Sequence, residues 1–409
     1  MSDSKKRIPI PKIFTEGQFE TQTEMLQLQR KPNKLYIGIP KETTMQENRV
    51  ALVPASVAAL IGRGHRVVVE KDAGVKANYS DHAYSEAGAD IAYSQEQVYK
   101  ADILIKVAPP TLKEIDLLRS GQILFSPLQL PIITHDFIYK LKTKRVTALA
   151  MEYIKDDTGS FPVVRIMSEM AGLSAVLTAA ELLTSTRNGK GVLLGGISGV
   201  PSANIVILGA GVVAEFACRT AMGLGADIRV FDNNVNKLMR LQNRVGRQLN
   251  TSTMIPFQIE KEIRRADVVI GAVHSKSGRT PILVSEEVVA KMKPGSVIID
   301  VSIDQGGCFA TSEVTTHDNP TFVKHEVIHY CVPNIASRVA RTSSIAVSNI
   351  LTPILLRAGD TGSVEGLIHQ DRGIRNGVYT YKGCLTNEYL GERFKIKSTN
   401  LDLLITSQL

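Results

Sequence analysis

Ile205-Val206-Ile207-Leu208-Gly209-Ala210-Gly211-Val212-Val213-Ala214 decides the fold of this 409-residue chain. Four consecutive apolar residues suit a parallel strand buried on both faces. They run directly into G-x-G-x-x-A, an accepted form of the dinucleotide fingerprint. Gly209 permits the tight turn. Gly211 lacks a Cβ and lets the backbone approach a pyrophosphate, and Ala214 lets the helix pack close to the strand. The first residues of that helix, Val212 and Val213 among them, offer free N–H groups and a positive dipole end to phosphates.

The next predicted strand, Ile228-Arg229-Val230-Phe231, ends in Asp232, about 20 residues beyond the fingerprint, where a carboxylate accepts the ribose hydroxyls. An acid there repels a 2′-phosphate, so NAD is expected rather than NADP. The alternative is a βαβ unit whose glycines serve packing alone.

Outward from this unit the chain alternates strand and helix. On the N-terminal side, strands are predicted at Leu35–Ile39, Arg66–Glu70, Asp102–Val107, Gln122–Leu128 and Thr147–Met151, with helices at Ser56–Arg63 and Asp136–Lys142. Met167–Thr186 reads as one long helix ended by Gly189. Beyond Asp232 come a helix at Val235–Val245, strands at Asp267–Gly271 and Val297–Val301, and a long apolar pattern at Thr342–Leu356 that returns the chain to its first half. The expectation is α/β, with two Rossmann-like domains built on parallel sheets. A nucleotide domain spans 163–339. A discontinuous substrate domain is made of 35–162 and 340–409. Residues 1–34 form a polar extension.

The composition is that of a globular protein, 44% hydrophobic and 22% charged. The net charge of +8 is spread along the chain, and there is no tryptophan. A nucleic-acid surface wants a basic stripe with stacking aromatics, so no nucleic-acid partner is expected. The charge favours anionic nucleotides and organic acids. Cys218, Cys308, Cys331 and Cys384 are far apart, with no C-x-x-C, so neither structural zinc nor a redox dithiol is expected. No apolar segment follows the N-terminus, and Met170–Leu183 is interrupted by Glu181 and short for a bilayer. A soluble cytoplasmic protein without a membrane partner is the expectation.

Several further segments accompany the fingerprint: Gly38-Ile39-Pro40-Lys41-Glu42 with Glu47-Asn48-Arg49-Val50-Ala51; Leu104-Ile105-Lys106-Val107; Met167-Ser168-Glu169-Met170-Ala171-Gly172; Lys293-Pro294-Gly295-Ser296-Val297-Ile298-Ile299-Asp300; Ile303-Asp304-Gln305-Gly306-Gly307; and Asn334 with Arg341-Thr342-Ser343. With them, over roughly residues 35–400, the chain resembles the alanine dehydrogenase family. More distantly it resembles the nucleotide-binding component of proton-translocating transhydrogenases. The Met-Ser-Glu-x-Ala-Gly and Ile-Asp-Gln-Gly-Gly segments and Thr316-His317-Asp318 resemble the dehydrogenases.

The resemblance implies reversible NAD-dependent oxidative deamination of L-alanine to pyruvate and ammonia, a small-molecule substrate and a homo-oligomer, a hexamer by analogy. It implies Arg49 as the clamp on the substrate carboxylate, since guanidinium binds carboxylate through two bonds. Asp304 becomes a proton-relay carboxylate on the nicotinamide side, and Ser168, Asp232 and Asn334 line the cofactor.

Two positions depart from the family. Its Lys-Val-Lys reads Lys106-Val107-Ala108 here, and its Leu-His-Leu reads Leu128-Gln129-Leu130. Gln129 can donate a hydrogen bond to a carbonyl but exchanges no proton near neutral pH. Transhydrogenase relatives also lack this lysine and histidine. Lys106 shares a strand face with Ala108 about 7 Å further back and is expected to reach the substrate in its place. Two other readings therefore stand beside alanine oxidation: a same-fold oxidoreductase for another amino or keto acid, and an NAD(H)-binding protein without amino-acid turnover.

His325-Glu326-Val327-Ile328-His329 matches H-E-x-x-H, but zinc chemistry needs that pattern on a helix. On the strand expected here the two imidazoles lie about 13 Å apart, too far for one metal. His135, after Thr134 at a predicted helix start, reads as a surface histidine. Neither G-x-S-x-G nor a Walker lysine loop is present.

Overall fold

The computed structural model describes residues 34–44, 46–130, 132–275 and 278–406, so the extension assigned to residues 1–34 lies, but for Lys34, outside the described residues. The chain folds around two sheets. The first takes β1 (Tyr36–Ile39), β2 (Arg66–Glu70), β3 (Asp90–Ala92), β4 (Ile103–Ile105), β5 (Ile123–Ser126) and β6 (Thr147–Ala150). The second takes β7 (Asn204–Leu208), β8 (Asp227–Phe231), β9 (Asn250–Ser252), β10 (Val268–Gly271), β11 (Val297–Asp300), β12 (Thr321–Lys324) and β13 (Val327–Tyr330). The chain then returns to the first sheet with β14 (Val378–Tyr381) and β15 (Cys384–Leu385).

The strand order is β15-β14-β6-β5-β4-β1-β2-β3 in the first sheet and β12-β13-β11-β10-β7-β8-β9 in the second. β1–β6 are parallel, as are β7–β11 with β13, whereas β14, β15 and β12 pair antiparallel at the sheet edges. The α/β class with two mostly parallel sheets is therefore the fold observed. The central strands explain the pairing: Ile103-Leu104-Ile105, Ile205–Leu208 and Val297–Ile299 are buried on both faces and packed by helices on each side.

Two helices join the halves. Pro162–Leu182 starts with proline at its first turn, five residues before the predicted start. It ends at Leu182 rather than running on to Thr186. The short turn Ser185–Arg187 and a left-handed Asn188 follow, so the stop lies well before Gly189. Ala340–Asp360 carries the chain back and is longer at both ends than its apolar pattern. The segments 162–182 and 335–360 are each long and apolar enough to span a bilayer, but half of each apolar window is packed inside the protein.

The H-E-x-x-H segment is a hairpin. His325 and Glu326, at φ of 52° and 59°, form the two-residue turn between β12 and β13. His325 Nε2 lies 2.8 Å from Glu286 Oε1, while His329 is fully buried, stacked on Phe322 and bonded to Thr311. His135 heads the helix His135–Thr143 on the surface.

Candidate active site between the two sheets

Open parallel sheets bind ligands beyond the carboxyl ends of their strands, where strand order reverses. The reversal falls between β1 and β4 in the first sheet and between β7 and β10 in the second. The chain leaves β1 into Glu42, Glu47 and Arg49, β4 into Lys106 and Ala108, and β5 into Gln129. In the second sheet β7 leads into the glycine loop, β8 into Asp232, β11 into Asp304 and β13 into Asn334.

The nucleotide side is preorganised. Gly209 sits at φ +110°, and a Cβ there would meet Ala272 O at 2.4 Å. A Cβ on Gly211 would meet nothing within 4 Å, which leaves open space above the loop. The helix Val212–Gly223 starts from Gly211 with no side-chain cap, so its first N–H groups are free for an anion. Ala214 is fully buried in the core behind the loop. Asp232 Oδ2 accepts the Ala210 N–H at 2.8 Å and Oδ1 accepts that of Asn234 at 2.8 Å, which ties the acidic residue to the glycine loop. These residues fit a dinucleotide. Ser168 lies half-buried on the long helix, next to Met167. That helix packs on the helix Val212–Gly223 through Gly172, where a Cβ would stand 2.3 Å from Val213 O.

Around Arg49 the two halves meet. Arg49 is buried, and its guanidinium gives Nε and Nη2 to the two oxygens of Glu47 at 2.7 and 2.6 Å. Nη2 also donates to Asn334 Oδ1 at 2.7 Å, and Nη1 points at Met167 Sδ at 2.9 Å. Asn334 Nδ2 donates to Glu47 Oε2 at 2.6 Å, and the Asn334 N–H donates to Asp304 Oδ1 at 3.1 Å. Ser337 Oγ donates to Glu47 Oε1 and accepts the Asn48 N–H. The Gln46 amide closes the junction: it accepts from the His317 N–H at 2.6 Å and donates to the Asp318 carboxylate.

The charges follow. Burial pushes Glu47 up, but the Arg49 charge and the hydrogen bonds from Arg49 and Asn334 outweigh it and hold its carboxyl below the ordinary value. Asp304 lies exposed on the short turn after β11. The protein around it pushes its pKa up, against the Asn334 N–H and the more distant Arg49. A raised, accessible carboxyl is suited to take up or release a proton.

Lys106 is placed differently from expectation. Its Nζ lies 3.0 Å from Glu42 Oε2 and 3.0 Å from Glu114 Oε1, and the residue has no exposed surface. Burial lowers its pKa, but the two carboxylates outweigh that and keep it charged. Glu42 Oε1 also accepts the Val107 N–H at 2.7 Å, so Lys106 and Glu42 together pin the loops after β1 and β4. Counting residues along the strand put Lys106 on the right face, but the two acids that claim its ammonium come from other segments. Ala108 is buried as well. Gln129 is half-exposed with a left-handed backbone, φ 47°, at the corner after β5.

Family models match both halves of the chain: "Alanine dehydrogenase/PNT, N-terminal domain" over residues 38–171 and "Alanine dehydrogenase/PNT, C-terminal domain" over 175–388. The chain belongs to the alanine dehydrogenase/PNT family. It is 41% identical to the alanine dehydrogenase of Bacillus subtilis over 355 residues, 87% of this chain and 93% of that one. It is 38% identical to alanine dehydrogenase 2 of Staphylococcus aureus over 367 residues, 90% and 98% of the two chains. A solved L-alanine dehydrogenase superposes with a TM-score of 0.82 at 35% identity over 88% of this chain and 99% of that one. A transhydrogenase from Sinorhizobium meliloti follows at TM-score 0.72 and 26% identity, over 86% and 99%. In this chain the stretches around Arg49, Asp304 and Asn334 meet as described, and Met167, next to Ser168, touches Arg49. Sequence reasoning quoted Glu47 and Ser337's neighbourhood without giving either a role, and it missed the Gln46 clasp. A carboxylate two residues before Arg49 was the one available signal.

Proposed function

We propose that the chain catalyses the reversible NAD-dependent oxidative deamination of L-alanine to pyruvate and ammonia. The observation that carries this is the continuous polar chain Asp304–Asn334–Arg49–Glu47, which joins the cleft side of the nucleotide half to the reversal point of the other half. Relatives named alanine dehydrogenase, matched over nearly their whole length, support it.

In this reading the glycine loop and the free N–H groups of the helix Val212–Gly223 hold the pyrophosphate, and Asp232 takes the ribose hydroxyls. NAD, when bound, accepts the hydride that leaves Cα of the amino acid. Arg49 binds the substrate carboxylate. Glu47 and Asn334 fix the guanidinium plane, so its binding direction is set before substrate arrives. Asp304 takes the proton as water adds at Cα of the imine and returns it to the nitrogen as the C–N bond breaks and ammonia leaves, and Gln129 donates a hydrogen bond to the keto oxygen. Lys106 acts from behind, as the ammonium that joins Glu42 to Glu114. The family's lysine and histidine positions are occupied by Ala108 and Gln129.

That last point favours a second reading, in which the site handles another amino or keto acid or binds NAD(H) without amino-acid turnover. We also propose a cytoplasmic homo-oligomer. Leu173 and Leu177, one turn apart on the long helix, and Leu193, Ile197 and Val200 just beyond it are all exposed and suit a second copy.

The test is NADH formation by purified protein with L-alanine and NAD, for the wild type, Arg49→Ala and the double variant Ala108→Lys with Gln129→His. Turnover in the wild type, lost in Arg49→Ala, supports alanine oxidation without the usual pair. Turnover only in the double variant, with wild type that binds NADH, assigns the second reading. No turnover in any of the three, with NADH bound, sinks alanine as substrate.

A further inference from the structure

The second sheet runs β9-β8-β7 on one side of its reversal point and β10-β11-β13 on the other. A dinucleotide held on such a sheet crosses the crevice between the two sides, one nucleotide over each. The chain that leaves β10, Ala272-Val273-His274-Ser275, borders that crossing.

This stretch is fastened at both ends. The Ala272 N–H donates to Leu208 O at 2.8 Å, and a Cβ on Gly209 would meet Ala272 O at 2.4 Å, so its first residue lies against the glycine loop. The Val273 N–H donates to Ser302 Oγ at 3.0 Å. The Gln305 side chain accepts the Ser275 N–H at 2.9 Å and donates to the Ser275 carbonyl at 3.1 Å. Ser302 and Gln305 bracket Asp304 on the turn Val301–Gln305. His274 is thus held between the glycine loop and the Asp304 turn, and its side chain is exposed.

The charges around it are few. The helix Val235–Val245 brings Lys237, whose Nζ lies 3.9 Å from Asp232 Oδ2. The turn after β11 brings Asp304, Arg279 in the same loop lies over Gly306, and the glycine loop brings no charge. Among the described residues, Lys237 is the one whose charge bears on the His274 ring. Desolvation by the surrounding protein and, next, the Lys237 charge hold the imidazole below its ordinary value, so the free protein keeps it neutral near neutral pH.

We propose that His274 is a cofactor-contacting residue: its imidazole meets the pyrophosphate where the dinucleotide crosses from the glycine loop toward Asp304, and it takes a proton from solvent when that dianion binds. The inference rests on the reading that the glycine loop holds NAD(H). The sign follows from linkage. A neighbouring dianion raises the pKa of an imidazole that is depressed in the free protein, so the complex binds more protons than the free protein does. NADH affinity then rises as pH falls through the bound-state pKa and levels off below the free-state one.

The test needs no turnover. NADH binding to the full chain is followed by nicotinamide fluorescence from about pH 8 to about pH 5.5, the range in which histidine titrates. Calorimetry in buffers of different ionisation enthalpy counts the protons taken up. Wild type is compared with His274→Gln, whose amide still donates a hydrogen bond but takes up no proton. Because the side chain is exposed, the two proteins should melt alike. Wild type should tighten on NADH by about tenfold toward the acid end, the worth of making one hydrogen bond charged, with measurable proton uptake. His274→Gln should stay nearly flat and take up less. Equal pH dependence and equal proton uptake in the two proteins overturn the proposal while leaving the cofactor reading intact. Wild type that binds no NADH at any of these pH values overturns the cofactor reading and this inference with it.

Discussion

Arg49 and Asn334 are 285 positions apart in sequence, yet Nη2 of the one lies 2.7 Å from Oδ1 of the other. Arg49 follows a strand of the first sheet and Asn334 follows a strand of the second. The guanidinium of one half is thus oriented by the other. Asn334 is suited to this place because its backbone is left-handed, φ 57°, a conformation asparagine tolerates better than most residues. Its N–H reaches Asp304 and its amide reaches both Glu47 and Arg49.

Asn334→Gly keeps the left-handed backbone and deletes only the amide. It should raise KM for pyruvate about tenfold, the worth of one hydrogen bond to a charged group, and a parallel fall in NADH affinity would show that Asn334 also lines the cofactor. Steady-state kinetics with NADH titrations check this. An unchanged KM would show that Glu47 alone fixes the guanidinium.

Glu47→Gln should expose how much of the junction is charge. The Glu47 carboxyl is held below its ordinary value in the folded protein, so its contribution to stability is full above the unfolded pKa and disappears as pH falls through the lower folded one. Urea unfolding should find the variant less stable by about 3 kcal/mol at neutral pH, as for a broken buried pair. The gap should close at strongly acidic pH, where the wild-type carboxyl is also neutral.

Lys106→Met is expected to behave as a core defect. It leaves Glu42 and Glu114 buried without their shared cation. A loss of about 3–5 kcal/mol follows from uncompensated buried charge, and it should shrink on acidification as Glu42, whose pKa burial already raises, becomes neutral. Well below the variant's melting temperature, KM for pyruvate should stay near the wild-type value. A large rise in KM with unchanged stability would instead return Lys106 to the substrate.

Gly172→Ala should separate packing from chemistry. The added methyl would stand 2.3 Å from Val213 O, against the first turn of the helix Val212–Gly223 proposed to hold the pyrophosphate. Overpacking of this kind destabilises by about 1–3 kcal/mol. NADH binding should weaken as that helix is pushed away, while pyruvate binding to protein saturated with NADH changes little. Calorimetric melting and fluorescence titration test the pair of outcomes.

The nucleotide half was legible in the sequence because each of its signals is local. The apolar strand, the glycine spacing and Asp232 all fall within one βαβ unit, and backbone sterics translate them directly into shape. Short or edge strands such as Asp90–Ala92, Asn250–Ser252 and Cys384–Leu385 were not legible, since strands of two or three residues carry no period of their own. The start of the long helix was misplaced because Pro162 sets it, several residues ahead of the apolar pattern.

The sequence by itself determined the fold class, the family and the glycine loop after β7. Only the tertiary structure decided how the candidate site residues are used. Arg49 became a fixed guanidinium because Asn334, from the other sheet, bonds it beside the neighbouring Glu47, which Ser337 in turn holds. Lys106 became an anchor because Glu42 and Glu114 enclose it. The physical reason is that a charged side chain is assigned by the opposite charges and donors around it, and the fold adds to the adjacent chain neighbours such as Asn334 and Glu42 that lie elsewhere in the sequence.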